Sequence, residues 1–322
     1  MPALPVLSLP VLGALCAVGA SAAFTLNDMA VKSLSGDYAL YQVILFRTLV
    51  AMCLTLGLIM PLTGGWRQIR TRRPGMHLLR GGFIVIANVS FFTALATMPL
   101  AEATAIFFVS PLIMAVFSVV FLAETVGPRR WAAIAVGLVG VIVIVRPGGA
   151  AFALTSLLPL VAATFYAANH TMTRKLGVQD SAATLAFYIQ ITFLTVAILA
   201  GLGFGDGRFH SADHGDSIAF LTRAWFWPPV SDWAILALTG TASAAGGFLI
   251  SQAYRMCEAA LIAPLEYVAL PMAITWGFLV FGEWPDAVAW IGIALILGSG
   301  LFMIWRETRV RAAPLAKPVK PL

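Results

Sequence analysis

The chain has 322 residues, 60% hydrophobic and 11% charged, with mean hydropathy +0.92 and a formal net charge of +6. Soluble domains average about 25% charged residues, so this composition excludes an ordinary soluble enzyme. The apolar residues fall in runs of about 17–25, the length that crosses a bilayer as a helix, and they lack the roughly ten-residue alternating segments of a membrane barrel. Ten such runs lie near 9–31, 38–60, 76–98, 101–122, 130–146, 153–173, 182–202, 232–254, 259–281 and 287–305. The expected fold is an all-α membrane protein with ten transmembrane helices.

The first run, "LPVLGALCAVGASAAF", resembles a leader, but no Lys or Arg precedes it, so it reads as a retained helix. The second run contains "VILFRTLVAM" and places Arg47 about nine residues below one end of its helix. At 1.5 Å per residue that is roughly 14 Å, near the bilayer centre. A cation there costs about 2.5–3.5 kcal/mol on insertion scales and should face the bundle or a wet cavity. Short polar breaks separate most runs; only the connection from about 203 to 231 is long, and its Asp and His residues read as a solvated loop rather than a metal site. Cys16, Cys53 and Cys257 are far apart and read as inert thiols.

Cytoplasmic loops of membrane proteins carry excess Lys and Arg. With the N-terminus inside, the loops and tail on that side hold fifteen basic residues against four outside, and Arg47 completes the twenty. Both termini are therefore expected in the cytoplasm, in a bacterial inner membrane. The tail 306–322 is basic and Pro-rich, expected to be disordered and to meet anionic lipid.

The second half lies over the first. Glu124 falls on Glu283 and Trp131 on Trp290 at one spacing, and with a slightly different spacing Asn27 falls on Asn169 and Lys32 on Arg174, with Arg47 on or beside Gln190. Five spans per half means that the halves, 9–146 and 153–305, enter the membrane from opposite sides. Inverted repeats of this kind build transporters around a site near the midplane.

The segments "FFTALATMPLAEATAIFFVSPLIMAVFSVVFLAETVGPRRWAAIAVGLVGVIVIVRPG" and "AYRMCEAALIAPLEYVALPMAITWGFLVFGEWPDAVAWIGIALILGSGLFMIWRE" resemble two copies of the EamA domain of the drug/metabolite transporter superfamily. The shared marks are a small-residue stretch before the fourth helix of each half, a Pro inside it, Gly/Ala-Glu at its end and a glycine-rich fifth helix. The resemblance implies ten helices, a central cavity and secondary transport of small metabolites or export of toxic compounds.

The candidate substrate residues are Arg47, Glu266, Tyr267, Asn88, Gln190, Tyr188, Gln252 and Trp276. Arg47 suits a carboxylate or phosphate; the structural alternative is an ion pair with Glu266. Glu266, Asp28 and His170 are candidates for proton coupling, although Asp28 also stands one turn from Lys32 and is expected to pair with it. Pro111, Pro264 and Pro271 should interrupt helices four and nine, and paired interruptions point to the site. Glu124 and Glu283 are expected to fix loops or gate geometry. No GxxxxGK[ST], HExxH or GxSxG is present, so no ATP motor and no hydrolase is indicated.

The reading is a secondary active carrier of a small polar or amphipathic metabolite: amino-acid-like, S-adenosylmethionine-like or a vitamin such as riboflavin. Its partners are a small-molecule substrate, the lipid bilayer and a coupled proton, with no cofactor, metal or nucleic acid and no indicated oligomeric state. The alternatives are a multidrug exporter and a non-transporting membrane sensor or enzyme.

Overall fold

The computed structural model describes residues 9–123, 127–147, 153–176, 181–211, 215–257 and 259–312. Ten long helices follow one another: α1 (Leu9–Leu34), α2 (Leu40–Thr63), α3 (Pro74–Leu95), α4 (Leu100–Leu122), α5 (Pro128–Val145), α6 (Leu158–Leu176), α7 (Ala182–Phe204), α8 (Trp233–Met256), α9 (Ala259–Glu266 continued by Ala269–Phe281) and α10 (Ala287–Ala312). Nine of them are long and apolar enough to cross a membrane among the described residues. The other is α6, whose Asn169, His170, Arg174 and Lys175 lower its hydropathy. It packs along α3 and α4, with Asn169 buried. The helix α10 continues past the expected end at 305 as far as Ala312, and Glu124 lies outside the described residues.

Successive helices run in opposite directions, which gives two faces. The terminal face holds the start of α1 and the end of α10. The far face holds the α1–α2, α3–α4, α5–α6, α7–α8 and α9–α10 links. Packing follows the inverted repeat: α1 lies on α8 as α6 lies on α3, while α2 pairs with α7 and α5 with α10.

Without a hydrophobic drive between helices in lipid, close association depends on small residues. The α5–α10 contact shows why. A Cβ added at Gly140 would stand 2.9 Å from the carbonyl oxygen of Gly292, and one added at Gly292 would stand 2.8 Å from that of Gly140. Backbone cannot step aside as a flexible side chain can. Gly140→Ala should therefore lower the thermal midpoint of purified protein by an amount equivalent to about 1–3 kcal/mol of overpacking. Gly298→Ala, where nothing lies within 4 Å, should leave it unchanged. Equal midpoints would remove Gly140 from the packing account.

The long connection differs from its expectation as a solvated loop. It contains a short helix, Asp216–Thr222, and folds back on the far face. Arg223 donates to the carbonyls of Ser35 and Tyr38 at 2.9 Å each, Tyr38 donates to Asp232 at 2.7 Å and stacks on Phe226, and Ser217 donates to the carbonyl of Thr93 at 3.1 Å. Its aromatic and basic residues hold it where composition alone suggested water. No group of metal-binding side chains occurs among the described residues.

Candidate functional site

Two broken helices organise the interior. The helix α4 stops at Phe107 and restarts at Ser110; α9 stops at Glu266 and restarts at Ala269. Pro111 and Pro271 stand just beyond the breaks, where each lacks the N–H that would continue the helical ladder and its ring crowds the carbonyl four residues earlier. Pro264 is accommodated within Ala259–Glu266. The breaks, Phe108–Val109 and Tyr267–Val268, stand at the same spacing as Glu124 and Glu283. Phe108 and Tyr267, equivalent by the repeat, stack on each other with ring centroids 4.9 Å apart. The two interruptions meet where the halves meet.

Tyr267 itself does not line open space. It is 5% exposed, and its hydroxyl packs against Gly300 of α10. Its neighbour Glu266 turns the other way. One carboxylate oxygen accepts the hydroxyl of Tyr254 from α8, and the Glu266 carbonyl accepts Ser21 of α1 at 3.4 Å. Tyr166 of α6 is close enough to feel the Glu266 charge, and its ring packs on His170 with centroids 4.4 Å apart. Tyr254 and His170 are both exposed. Glu266, Tyr254, Tyr166 and His170 thus converge from three helices beside the α9 break.

Arg47 is elsewhere. It is 5% exposed, donates to the Asn88 side-chain oxygen at 3.4 Å, and lies between the rings of Phe92 and Phe193, 5.2 and 4.9 Å from their centroids. Asp28 lies near enough for its charge to act on Arg47, without direct ion-pair contact, and accepts from Asn27 at 3.0 Å. The Arg47–Glu266 pair weighed from the sequence does not form. Ser21 and Asp28 mark the two clusters along α1, two helical turns or about 10 Å apart.

The expected Asp28–Lys32 pair does not form either. Lys32 instead donates to Glu283 at 2.6 Å and to the carbonyl of Met98 at 2.5 Å, and the other Glu283 oxygen accepts the Leu100 N–H at 3.0 Å. One ion pair thereby ties the far-face end of α1 to the α3–α4 and α9–α10 links. Beside it Arg146 pairs with Asp286, and that hydrogen bond holds the Asp286 carboxyl below the usual carboxylate range. The far-face halves of α4 and α9 pack on each other there, whereas among the described residues their terminal-face halves do not pack closely. Lys32 and Glu283 also line a surface cleft of about 560 Å³ on that face.

The remaining candidates have other neighbours. Tyr188 donates to the carbonyl of Ile69 at 3.2 Å and stacks on His77. Gln190 donates to Thr55 at 2.9 Å, where α2 makes a π-helical turn over Thr55–Ile59. Gln190 and Gln252 line a groove between α2, α7 and α8, whose space of about 60 Å³ suits a few waters. Trp276 packs partly buried against the core.

Four residues escaped the sequence reading. Arg80 counted as a loop-side charge, but it is 5% exposed within α3 and donates to Thr173 at 2.7 Å. Phe92 and Phe193 gave no polar signal. Tyr166 stands four residues before His170 on α6, and that i,i+4 spacing was the available clue.

The EamA-like transporter family model matches residues 11–146. A riboflavin transporter of Vibrio cholerae is 30% identical over 304 residues, 93% of this chain and 95% of that protein. An S-adenosylmethionine uptake transporter of Rickettsia bellii is 26% identical, over 88% of this chain and 90% of the relative. A solved crystal structure superposes with a TM-score of 0.60 at 17% identity, covering 92% of this chain and 98% of its own, and so shares the fold.

Proposed function

The chain belongs to the EamA-like transporter family, and we propose that it is a secondary active carrier that exposes one central chamber alternately to the two sides of the membrane. It is a multi-pass membrane transporter of small molecules, not an enzyme. The observation that carries the finer reading is the pair of repeat-equivalent breaks in α4 and α9 with Glu266 beside one of them. Broken helices free backbone groups and give each half a hinge, the arrangement on which carriers rock around a fixed site.

In this reading the terminal face is cytoplasmic, and the bacterial inner membrane is the setting. The far-face contacts of Lys32 and Glu283 then describe a state closed to the outside. Cargo enters the chamber of Glu266, Tyr166, Tyr254 and His170; the far-face contacts release as the terminal-face halves of α4 and α9 approach each other. Riboflavin and S-adenosylmethionine, carried by the named relatives, both join a flat heterocycle to a polar chain. A chamber with two tyrosine rings, an imidazole and a carboxylate suits such an amphipathic metabolite. Glu266 and His170 are the groups to which a coupled proton is assigned; Asp28, held by Asn27 near Arg47, serves the outer cluster.

Purified protein in liposomes should take up a labelled flavin or adenosyl compound with saturation. Glu266→Gln should reduce initial uptake at least tenfold while the protein stays monodisperse. Uptake linear in concentration, or unchanged in Glu266→Gln, would remove the chamber from the mechanism.

A further inference from the structure

A charge inside a membrane bundle is stable only where something answers it. The deep charges of this protein are answered unequally. Arg47 has two phenyl faces, the Asn88 oxygen and the nearby Asp28. Lys32 and Glu283 answer each other. Arg80 is held by Thr173. Glu266 is the exception. Its carboxylate accepts the Tyr254 hydroxyl, and among the side chains that the structure describes, which leave out those of Arg174, Lys175 and Arg255, it has no ion pair.

The rings beside Glu266 suit a positive charge, while the Arg80 cation acts on the His170 end of the cluster. Tyr254 and Tyr166 present aromatic rings, whose faces are electron-rich and attract cations. His170 extends that wall through its contact with Tyr166. A proton alone would need the carboxylate but not the rings. An anionic cargo would need Arg47, enclosed by Phe92 and Phe193, or Arg80, bound to Thr173, and each is 5% exposed.

We propose that the Glu266 chamber selects an organic cation, with the positive centre held by the Glu266 carboxylate against the faces of Tyr166 and Tyr254. This rests on the same chamber as the carrier reading but concerns binding, so the two can fail separately. The chamber also offers the Tyr166 hydroxyl and the His170 ring nitrogens to polar groups on the cargo; neither has a hydrogen bond to the described protein.

The test uses the purified full chain in detergent, with no second compartment, at a pH that keeps the carboxylate ionised. The probes are 1-methylnicotinamide and its neutral carbon isostere 3-methylbenzamide, which share shape and amide but differ in charge. Binding is read by calorimetry. The cation should bind at least about tenfold more tightly. Glu266→Gln should abolish that preference, and Tyr166→Leu should weaken the cation more than the isostere. If Glu266→Gln does not yield folded protein, the Tyr166→Leu result alone decides. Equal affinities, binding of neither probe, a preference that survives Glu266→Gln, or equal weakening in Tyr166→Leu would overturn the proposal. A cation preference without transport in liposomes would leave the site standing and remove the carrier reading.

Discussion

Arg47→Ala should lower the thermal midpoint of the purified protein by on the order of 10 °C, through lost stability rather than lost substrate contact. The guanidinium fills the space between Phe92 and Phe193 and neutralises the region of Asp28. Its removal leaves a cavity, an unsatisfied Asn88 oxygen and an uncompensated carboxylate. Removing one member of a buried charged set costs about 3–5 kcal/mol, and for a chain of this size each kcal/mol moves the midpoint by roughly 2–4 °C. Arg47→Lys should recover part of the loss, since it keeps the charge but not the flat face that lies against the rings. A midpoint equal to the wild type in Arg47→Ala would place Arg47 back among the cargo-binding groups.

Lys32→Met should open the far face. Lys32 and Glu283 join three segments through one ion pair and two bonds to backbone. In the proposed carrier cycle these contacts belong to the far-face-closed state, so their loss removes differential stability from that state and shifts the population. A loss of about 1.4 kcal/mol is already tenfold in the equilibrium. In a chain freed of Cys16, Cys53 and Cys257, a cysteine at position 166 should react with an impermeant maleimide applied to the far face at least tenfold faster in Lys32→Met. The double exchange Lys32→Glu with Glu283→Lys should not restore the slow rate. The backbone fixes the polarity: the Met98 carbonyl needs a donor beside α1, and the Leu100 N–H needs an acceptor on the α9–α10 link. An unchanged rate in Lys32→Met, or full rescue by the exchange, would contradict this role.

The architecture was readable because lipid imposes simple rules. Length and hydropathy placed the helices, and the repeat placed the broken ones: Pro111 and Pro271 mark breaks that the structure shows at equivalent positions. The depth of Arg47 was also readable, since the count of residues from a helix end is a distance. Partners were not. Lys32 meets Glu283 across 251 positions of sequence, and no local spacing reports such a contact. Local rules offered Asp28 for Lys32 and left Glu266 for Arg47. The fold chose otherwise because phenyl faces can answer a guanidinium, and apolar residues look like core in any sequence. Arg80 was misjudged because a charge near a helix end reads as a loop charge until packing shows the helix continuing around it.

The central claim is that one chamber faces the two sides in turn, and counterflow tests it most directly. Liposomes containing the protein are loaded with unlabelled substrate, diluted into labelled substrate, and followed for entry of label with no ion gradient. The account predicts a transient accumulation of label above equilibrium that is absent from empty liposomes and from Glu266→Gln. Label that rises only to equilibrium, at a rate indifferent to internal substrate, would show an open path and contradict alternating access.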